Sequence, residues 1–153
     1  MLKDIQIQQS FGDLELVRVR NLRYEILRKP LGLPVSGAVF PGDEDQTTLH
    51  ILAFSHADLI GCATLMIGDS NAIQLRGMAV AKDWQRKGVG QLIVSTGKTI
   101  AIEKSKSLWC NARFPAIGFY ESQGWTKFGD FFDIPVIGPH IVMNWPGIEK
   151  NNV

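Results

Sequence analysis

Leu75 to Ile93 reads LRGMAVAKDWQRKGVGQLI, and this stretch decides the fold that the sequence predicts. It begins with an apolar segment typical of a strand, continues through a turn rich in cations and glycine, and ends in the first turn of a helix. A helix that begins after such a turn presents free backbone N–H groups, which bind anions. Gly88 and Gly90 have no Cβ, so the backbone can approach a bulky ligand closely. Nearby cationic side chains add positive charge. The stretch therefore predicts a phosphate or pyrophosphate site of the kind that binds nucleotide-type cofactors.

Two better-known phosphate motifs are absent from this region. A Walker-type loop reads Gly-x-x-x-x-Gly-Lys-[Ser/Thr], and Gly97 to Thr99 would supply its end, but Leu92 stands where the first glycine belongs. A dinucleotide fingerprint reads Gly-x-Gly-x-x-Gly, and Gly88 to Gly90 would begin one, but Ile93 stands where the third glycine belongs. The sequence therefore favours neither a P-loop hydrolase nor a dinucleotide-binding enzyme.

The turn instead fits the pattern Gln-x-x-Gly-x-Gly, which reads QRKGVG from Gln85 to Gly90. This pattern resembles the acyl-CoA-binding motif of the GNAT superfamily of N-acetyltransferases, in which loop amides hold the coenzyme A pyrophosphate. A second stretch, AIGFYESQGW from Ala116 to Trp125, resembles the other signature of that superfamily: alanine, then Phe-Tyr, then three residues, glycine and an aromatic residue. It follows the strand after the motif helix, which is its place in the superfamily. We therefore expect the chain to be similar to a GNAT acetyltransferase.

The pattern of apolar residues and turn signals along the chain predicts an alternation of strands and helices. The expected strands are Ile5–Gln9, His50–Ser55, Leu59–Ile67, Ala72–Val80, Ser107–Asn111, Trp125–Phe132 and Ile141–Trp145. The expected helices are one from Asp13 to before Pro30, one between Gly88 and Lys104, and Pro115–Gln123. This order predicts the α/β class: a mixed, mostly antiparallel central sheet of six to seven strands flanked by helices. The resemblance implies that this is the acyl-CoA N-acyltransferase fold, in a single domain over residues 1–153.

The resemblance also implies where acetyl-CoA, the co-substrate, would bind. Backbone groups of Met78 and Val80 would pair with the pantetheine arm while a backbone N–H there polarises the thioester, and the Gln85 to Gly90 loop would hold the pyrophosphate. The residues implied for cofactor binding are Met78, Ala79, Val80, Gln85, Arg86, Lys87, Gly88, Val89, Gly90, Gln91 and Arg113. Arg113 stands where the superfamily often has an asparagine, so a different contact with cofactor or substrate is expected there.

Two residues are candidates for proton transfer. Tyr120 occupies the position of the superfamily's usual tyrosine acid, which protonates the departing sulfur. No glutamate lies on the motif strand to act as the base. His140 is one candidate for that role, and a water chain leading to bulk solvent is the other.

The function implied is an acyl-CoA-dependent N-acyltransferase, which moves acetyl to a primary amine of a small molecule or protein by direct attack in a ternary complex. The alternative is a non-catalytic acyl-CoA-binding module that serves in sensing or assembly. The sequence leaves the amine acceptor unidentified. Homodimers are common in the superfamily, so a homodimer is a further expectation by analogy.

Composition narrows the other partners. With 153 residues, 45% hydrophobic and 20% charged, the chain is typical of a globular domain. A net charge of +1 gives no reason to expect nucleic acid or a membrane as partner. No signal peptide or membrane-spanning segment is evident, so we expect a cytoplasmic protein. Cys62 and Cys110 are expected to be buried, reduced thiols, and the three histidines lack metal-ligand spacing, so no metal is expected.

Charged residues of the first helix and the following loop allow two interpretations each. The helix carries Arg18, Arg20, Arg23 and Arg28, and a solvated basic face is favoured over a substrate-anion site. The loop from Leu31 to Thr48 contains the acidic run PGDED, which either is solvated or attracts a cationic amine. Solvation is again the favoured interpretation.

Overall fold

Seven strands form one sheet. The computed structural model describes residues 2–147, so the last six residues of the expected domain and its first residue lie outside the described part. The strands are β1 (Ile5–Phe11), β2 (Thr48–Ser55), β3 (Asp58–Met66), β4 (Ala72–Val80), β5 (Ser107–Arg113), β6 (Thr126–Ile134) and β7 (Gly138–Trp145). Their order across the sheet is β1-β2-β3-β4-β5-β7-β6, and only β4 and β5 are parallel neighbours. The predicted α/β class, with a mixed and mostly antiparallel sheet, is confirmed.

Three α-helices connect the strands. They are α1 (Leu16–Arg23), α2 (Val89–Glu103) and α3 (Ile117–Ser122). The first helix was expected to end before Pro30, but a π-helical turn (Tyr24–Arg28) and a 3-10 turn (Lys29–Leu31) continue it. Proline fits there because it lies in the first turn of the 3-10 segment, where no N–H donor is required. None of the helices within residues 2–147 is long and apolar enough to cross a membrane.

Helices cover both faces of the sheet, and β2 shows why. Successive side chains of a strand point to opposite faces. Ile51 packs in a core cluster with Ile93 of α2, whereas Leu52 packs in a second cluster with Val19 of α1. All four side chains are fully buried. The apolar run of β2 is therefore what places one helix on each side of the sheet.

The sheet opens between β4 and β5. The two strands pair only from Ala72 to Gln74, opposite Ser107 to Trp109, and then diverge. Within the open part, β4 bulges where its register against β3 shifts. Gly77 lies in this bulge with φ of 62°, and an added Cβ would lie 2.7 Å from the Nε of Arg23. Glycine is thus required here both by the backbone conformation and by the arginine beneath it.

Candidate active site

The divergence of β4 and β5 forms a cleft with a cavity of about 410 Å³. Its walls come from both strands, from the helical turns after α1, from α3 and the turn before it, and from the connection between β6 and β7. Tyr120, His140, Met78 and Arg113 all line it, so four of the predicted site residues meet in one place. The pyrophosphate loop lies outside the cavity lining.

The edge of β4 that faces the cleft has no partner strand beyond the three paired residues. On its other edge, the Ala81 N–H donates to the Ile60 carbonyl at 2.8 Å. Because backbone groups alternate in direction along a regular strand, Ala79 also faces β3 and the N–H of Val80 points toward the cleft. Met78 adjoins the Gly77 bulge, where this alternation is interrupted. Met78 and Val80 are the two residues whose backbone was expected to pair with pantetheine. An extended ligand in the cleft would thus meet a strand edge without a partner strand, on which the Val80 carbonyl already accepts from Gln85.

The start of α2 presents a row of backbone N–H groups. The first helical N–H with an acceptor is that of Leu92, which donates to the Gly88 carbonyl at 3.1 Å. Within residues 2–147, nothing accepts a hydrogen bond from the N–H groups of residues 86–91. Gly88 turns the chain into the helix with φ of 91°, a conformation that L-residues rarely adopt. This arrangement fits an anion such as pyrophosphate, because the helix dipole and the free N–H groups act together.

Side chains of the loop have separate roles. Gln85 closes the turn, since its Nε2 donates to the Val80 carbonyl at 2.9 Å. Arg86 and Lys87 are exposed, and the Lys87 Nζ lies 5.5 Å from the centre of the Trp84 ring. Both cations are placed to add positive charge beside the free N–H groups. The Gln85 amide, by contrast, is used within the fold.

Three other residues predicted to bind cofactor differ in what they offer. The side chains of Ala79 and Val89 are buried in the core, so these residues would contribute only backbone groups. The backbone of Ala79 pairs with Cys62 of β3, away from the cleft. Gln91 is exposed on the first turn of α2. The structure therefore does not bring Ala79 to the cofactor side.

Tyr120 lies deep in the cleft wall. Its ring packs edge-on against Phe119 with the centroids 5.3 Å apart, and against Trp125 at 5.0 Å. Burial, together with the adjacent Cys110 thiol, raises the pKa of the Tyr120 phenol well above its usual value. The phenol therefore stays protonated, and its hydroxyl is hydrogen-bonded to the Cys110 thiol at the wall of the cavity that both residues line.

His140 lies across the cleft on β7, where it pairs with Arg113 of β5. Its Nδ1 lies 2.7 Å from the Gly138 carbonyl oxygen. A carbonyl only accepts, so Nδ1 carries a proton, and in the neutral form of the ring the lone pair would be on Nε2. Phe132 stacks on the imidazole with the centroids 5.8 Å apart. These contacts hold the ring of His140 in place at the cavity wall.

Sequence reasoning identified the arginine side chains of the cleft only in part: it named Arg113 and, as the less favoured alternative, an anion site that includes Arg28, but not Arg76. Arg28 and Arg76 line the cavity together with Arg113. The guanidinium carbons of Arg28 and Arg76 lie 5.5 Å and 4.3 Å from the centre of the Phe40 ring. The prediction that Arg28 belongs to a solvated basic face is wrong, because the π-helical turn carries it around to the cleft. No local pattern in the sequence predicts that π-helical turn.

Arg23, also assigned to the solvated face, is fully buried. Its NH1 and NH2 donate to both carboxylate oxygens of Asp43, at 2.7 and 2.8 Å. NH2 also donates to the Thr64 hydroxyl, which lies 2.8 Å from Nδ1 of His50. Asp43 is thus a structural counter-ion, and both interpretations of the acidic loop fail for it. A signal existed, because Arg23 continues the buried helical face of Leu16 and Val19.

The two cysteines are buried and free, as predicted. Burial raises the pKa of each thiol to about 12, so both stay protonated. Among residues 2–147, no group of three metal-binding side chains comes together.

Comparisons with known proteins agree with this geometry. The family described as "Acetyltransferase (GNAT) domain" matches residues 46–127, more than half of the chain. The N-acetyltransferase YitI of Bacillus subtilis (strain 168), itself uncharacterized, is 30% identical over 129 residues, covering 80% of this chain and 85% of that protein.

The fold is similar to two solved structures. The crystal structure of Escherichia coli ElaA matches with a TM-score of 0.80 and 20% identity, over 92% of this chain and 98% of that one. An aminoglycoside 6'-N-acetyltransferase complexed with coenzyme A matches with a TM-score of 0.74 and 14% identity, over 95% of this chain and 99% of that one.

Proposed function

Because this chain belongs to the GNAT acetyltransferase family, we propose that it is an acyl-CoA-dependent N-acyltransferase that moves acetyl from acetyl-CoA to a primary amine. One observation carries the proposal. The open edge of β4 leads from the cavity toward the row of free N–H groups at the start of α2. A ligand with an extended amide-containing arm and a pyrophosphate needs these two features in this order.

The residues that would hold acetyl-CoA follow from that arrangement. The backbone of Met78 and Val80 would pair with the pantetheine arm as an added strand. The N–H groups of residues 86–91 would hold the pyrophosphate, with Arg86 and Lys87 beside them. Bound in this way, the cofactor supplies an activated thioester in the cavity.

Acyl transfer to an amine needs a neutral nucleophile, a polarised carbonyl and a stabilised leaving thiolate. Nε2 of His140 would accept the proton of the incoming ammonium group. A backbone N–H of the open β4 edge, that of Met78, would polarise the thioester carbonyl. The Tyr120 hydroxyl would donate to the departing sulfur. Because the pKa of Tyr120 is raised while a free thiol has a pKa of about 8.5, the hydrogen bond itself carries the stabilisation.

Replacing Tyr120 with phenylalanine tests the proposal. We expect kcat for thiol release from acetyl-CoA to fall about 100-fold, the lower end of the range for a positioned acid. Affinity for acetyl-CoA, measured by calorimetry, should be unchanged, since the phenyl ring keeps its packing. Tyr24→Phe is the matched control, because Tyr24 is outside the cavity lining. Acetyl-CoA binding without turnover on any amine would favour the non-catalytic module instead.

A further inference from the structure

The lining of the cleft cavity carries several positive charges and no carboxylate. Arg28, Arg76 and Arg113 are lining residues, and neither aspartate nor glutamate is among them. They come from three separate elements: the turn after α1, β4 and β5. The fold therefore brings together three guanidinium groups that are distant in sequence.

These charges are not neutralised within the described protein. No ion pair among residues 2–147 involves Arg28, Arg76 or Arg113. The buried carboxylate nearby, Asp43, has both oxygens occupied by Arg23. Burial lowers the pKa of Arg28, and repulsion from the other arginines lowers it further. Three like charges in a half-buried site are costly unless an anion joins them.

The guanidinium groups are also oriented and partly free. Arg28 donates through Nε to the Gly37 carbonyl at 2.9 Å and through NH1 to the Leu27 carbonyl at 3.1 Å. Arg113 donates through NH2 to the same Leu27 carbonyl at 3.1 Å. Arg76 rests on the Phe40 ring and has no hydrogen-bond acceptor among the described residues. The Arg76 guanidinium thus has the unused fork of N–H donors that binds a carboxylate or phosphate through two parallel hydrogen bonds, and Arg28 and Arg113 keep the donors that do not face these carbonyls.

This cationic cluster is separate from the proposed pyrophosphate site. None of Gln85 to Gly90 lines the cavity, and none of the three arginines lies in that loop. The cluster faces the cavity that also contains Tyr120 and His140. It therefore lies where the acceptor amine would enter.

We infer that the acceptor is a small amine that also carries an oxyanion, a carboxylate in the first place, and that Arg28, Arg76 and Arg113 bind this group. The inference rests on the proposed function and narrows its substrate class. With the oxyanion held by the arginines, the amine end extends toward Nε2 of His140 and the thioester. Polycationic amines are disfavoured, because a second ammonium group would face the arginines.

The test compares matched amines in the presence of saturating acetyl-CoA. Each apolar amino acid is paired with its carboxamide, and aminoalkyl phosphonates distinguish phosphate-type from carboxylate oxyanions. We expect kcat/KM for the acids to exceed that for the carboxamides by at least about tenfold, the effect of one charge-assisted hydrogen bond. The amine of a carboxamide is less basic than that of the free acid, so a larger fraction of it is the neutral nucleophile at a given pH. This difference favours the carboxamides, so it cannot be the cause of a higher kcat/KM for the acids.

Variants assign the effect to the cluster. Arg76→Gln should raise KM for the acids about tenfold, leave KM for the carboxamides unchanged, and be partly rescued by Arg76→Lys. Arg76 holds no backbone carbonyl, so the fold should tolerate the change. Arg18→Gln removes the same charge from an exposed site outside the cavity and should change neither value.

The outcomes separate the two proposals. Equal rates for acids and carboxamides, or a loss of acetyl-CoA affinity in Arg76→Gln with amine KM unchanged, would overturn the inference while leaving the acetyltransferase intact. If no amine is turned over, calorimetry measures the binding of the acids and the carboxamides to the complex of the protein with CoA. Arg76-dependent binding there would support the oxyanion site and reject the proposed catalysis. Equal or absent binding of acid and carboxamide would reject the oxyanion site.

Discussion

His140 lines the cleft, and its Nδ1 proton is held by the Gly138 carbonyl, so in the proposed mechanism Nε2 is the nitrogen that accepts a proton. We predict that His140→Gln lowers kcat/KM about 100-fold near neutral pH, where the amine must lose a proton. The deficit should shrink as the pH rises, because the amine then arrives already neutral. Rates measured from pH 6 to 10 check this, with His56→Gln as a control outside the cavity. A deficit that is constant with pH would assign deprotonation to water.

Close packing does not require glycine at position 97. An added Cβ at this position in α2 would lie 3.9 Å from side chains of β2, β3 and β5, an ordinary contact distance. We predict that Gly97→Ala stabilises the protein by about 1 kcal/mol, through higher helix propensity and a less flexible unfolded chain. Urea unfolding of both proteins measures this, and destabilisation would contradict it.

At the scale of elements, the network around Arg23 joins α1 to β3 and to the loop before β2 through Asp43. Asp43→Asn would leave the buried guanidinium without its counter-ion, and we predict a loss of about 3–5 kcal/mol in the free energy of unfolding. The matched control is Glu44→Gln. Its pair with Arg20 is exposed, so the loss there should be below about 1 kcal/mol. Similar losses in both variants would contradict a structural role for the network.

The same network predicts how stability depends on pH. Burial lowers the pKa of His50 from its usual 6.5, so as the pH falls below that value the unfolded chain gains a proton that the folded chain does not. Burial alone would raise the pKa of Asp43, but the hydrogen bond and charge of Arg23 bring it below its usual 3.8. Stability should therefore fall below pH 6.5 and fall again below pH 3.8. The difference in the free energy of unfolding between the original protein and Asp43→Asn should become smaller only below pH 3.8, where the original protein loses the contribution of the Asp43 carboxylate.

The sequence predicts elements better than it predicts where they bring side chains. The central strands and α2 lie close to their predicted bounds, because apolar runs and turn residues are local signals. β5 extends to Arg113, two residues beyond its predicted end, because it pairs with β7, which is distant in sequence. The burial of Arg23 had a local signal, its place on the apolar face of α1, but its counter-ion lies 20 residues away and could not be identified. The helix start at Gly88 was predicted because glycine and helix-start patterns are local, whereas the arginine cluster depends on tertiary contacts.

At the scale of the whole molecule, a ligand along β4 would tie together parts of the sheet that are otherwise weakly joined. We predict that acetyl-CoA at 100 times its Kd stabilises the fold by about 2.7 kcal/mol, or roughly 5–10 °C in Tm. Gly88→Val should abolish the shift, because valine cannot adopt the backbone conformation that aims the N–H groups.

Gly129→Val is the matched control for this shift. Gly129 also has positive φ, at 76°, but lies on β6 with open space around it. That variant should lose a similar amount of stability in the absence of ligand and keep the full response to acetyl-CoA. If Gly88→Val still showed the increase in Tm with acetyl-CoA, the cofactor would have to bind at a site other than the start of α2.

The pairing of β4 with β5 over only three residues, here called the seam, divides the sheet into two parts that bound substrates would join. Arg76 belongs to the part of the sheet before the seam, and Arg113 and His140 belong to the part after it. We predict that the substrate that binds first restrains both parts and bears the entropic penalty of ordering them. The second would then meet a site already fixed, so we expect positive cooperativity, in which each substrate raises the affinity for the other by the same factor. Calorimetric titration of each substrate with and without the other measures this factor.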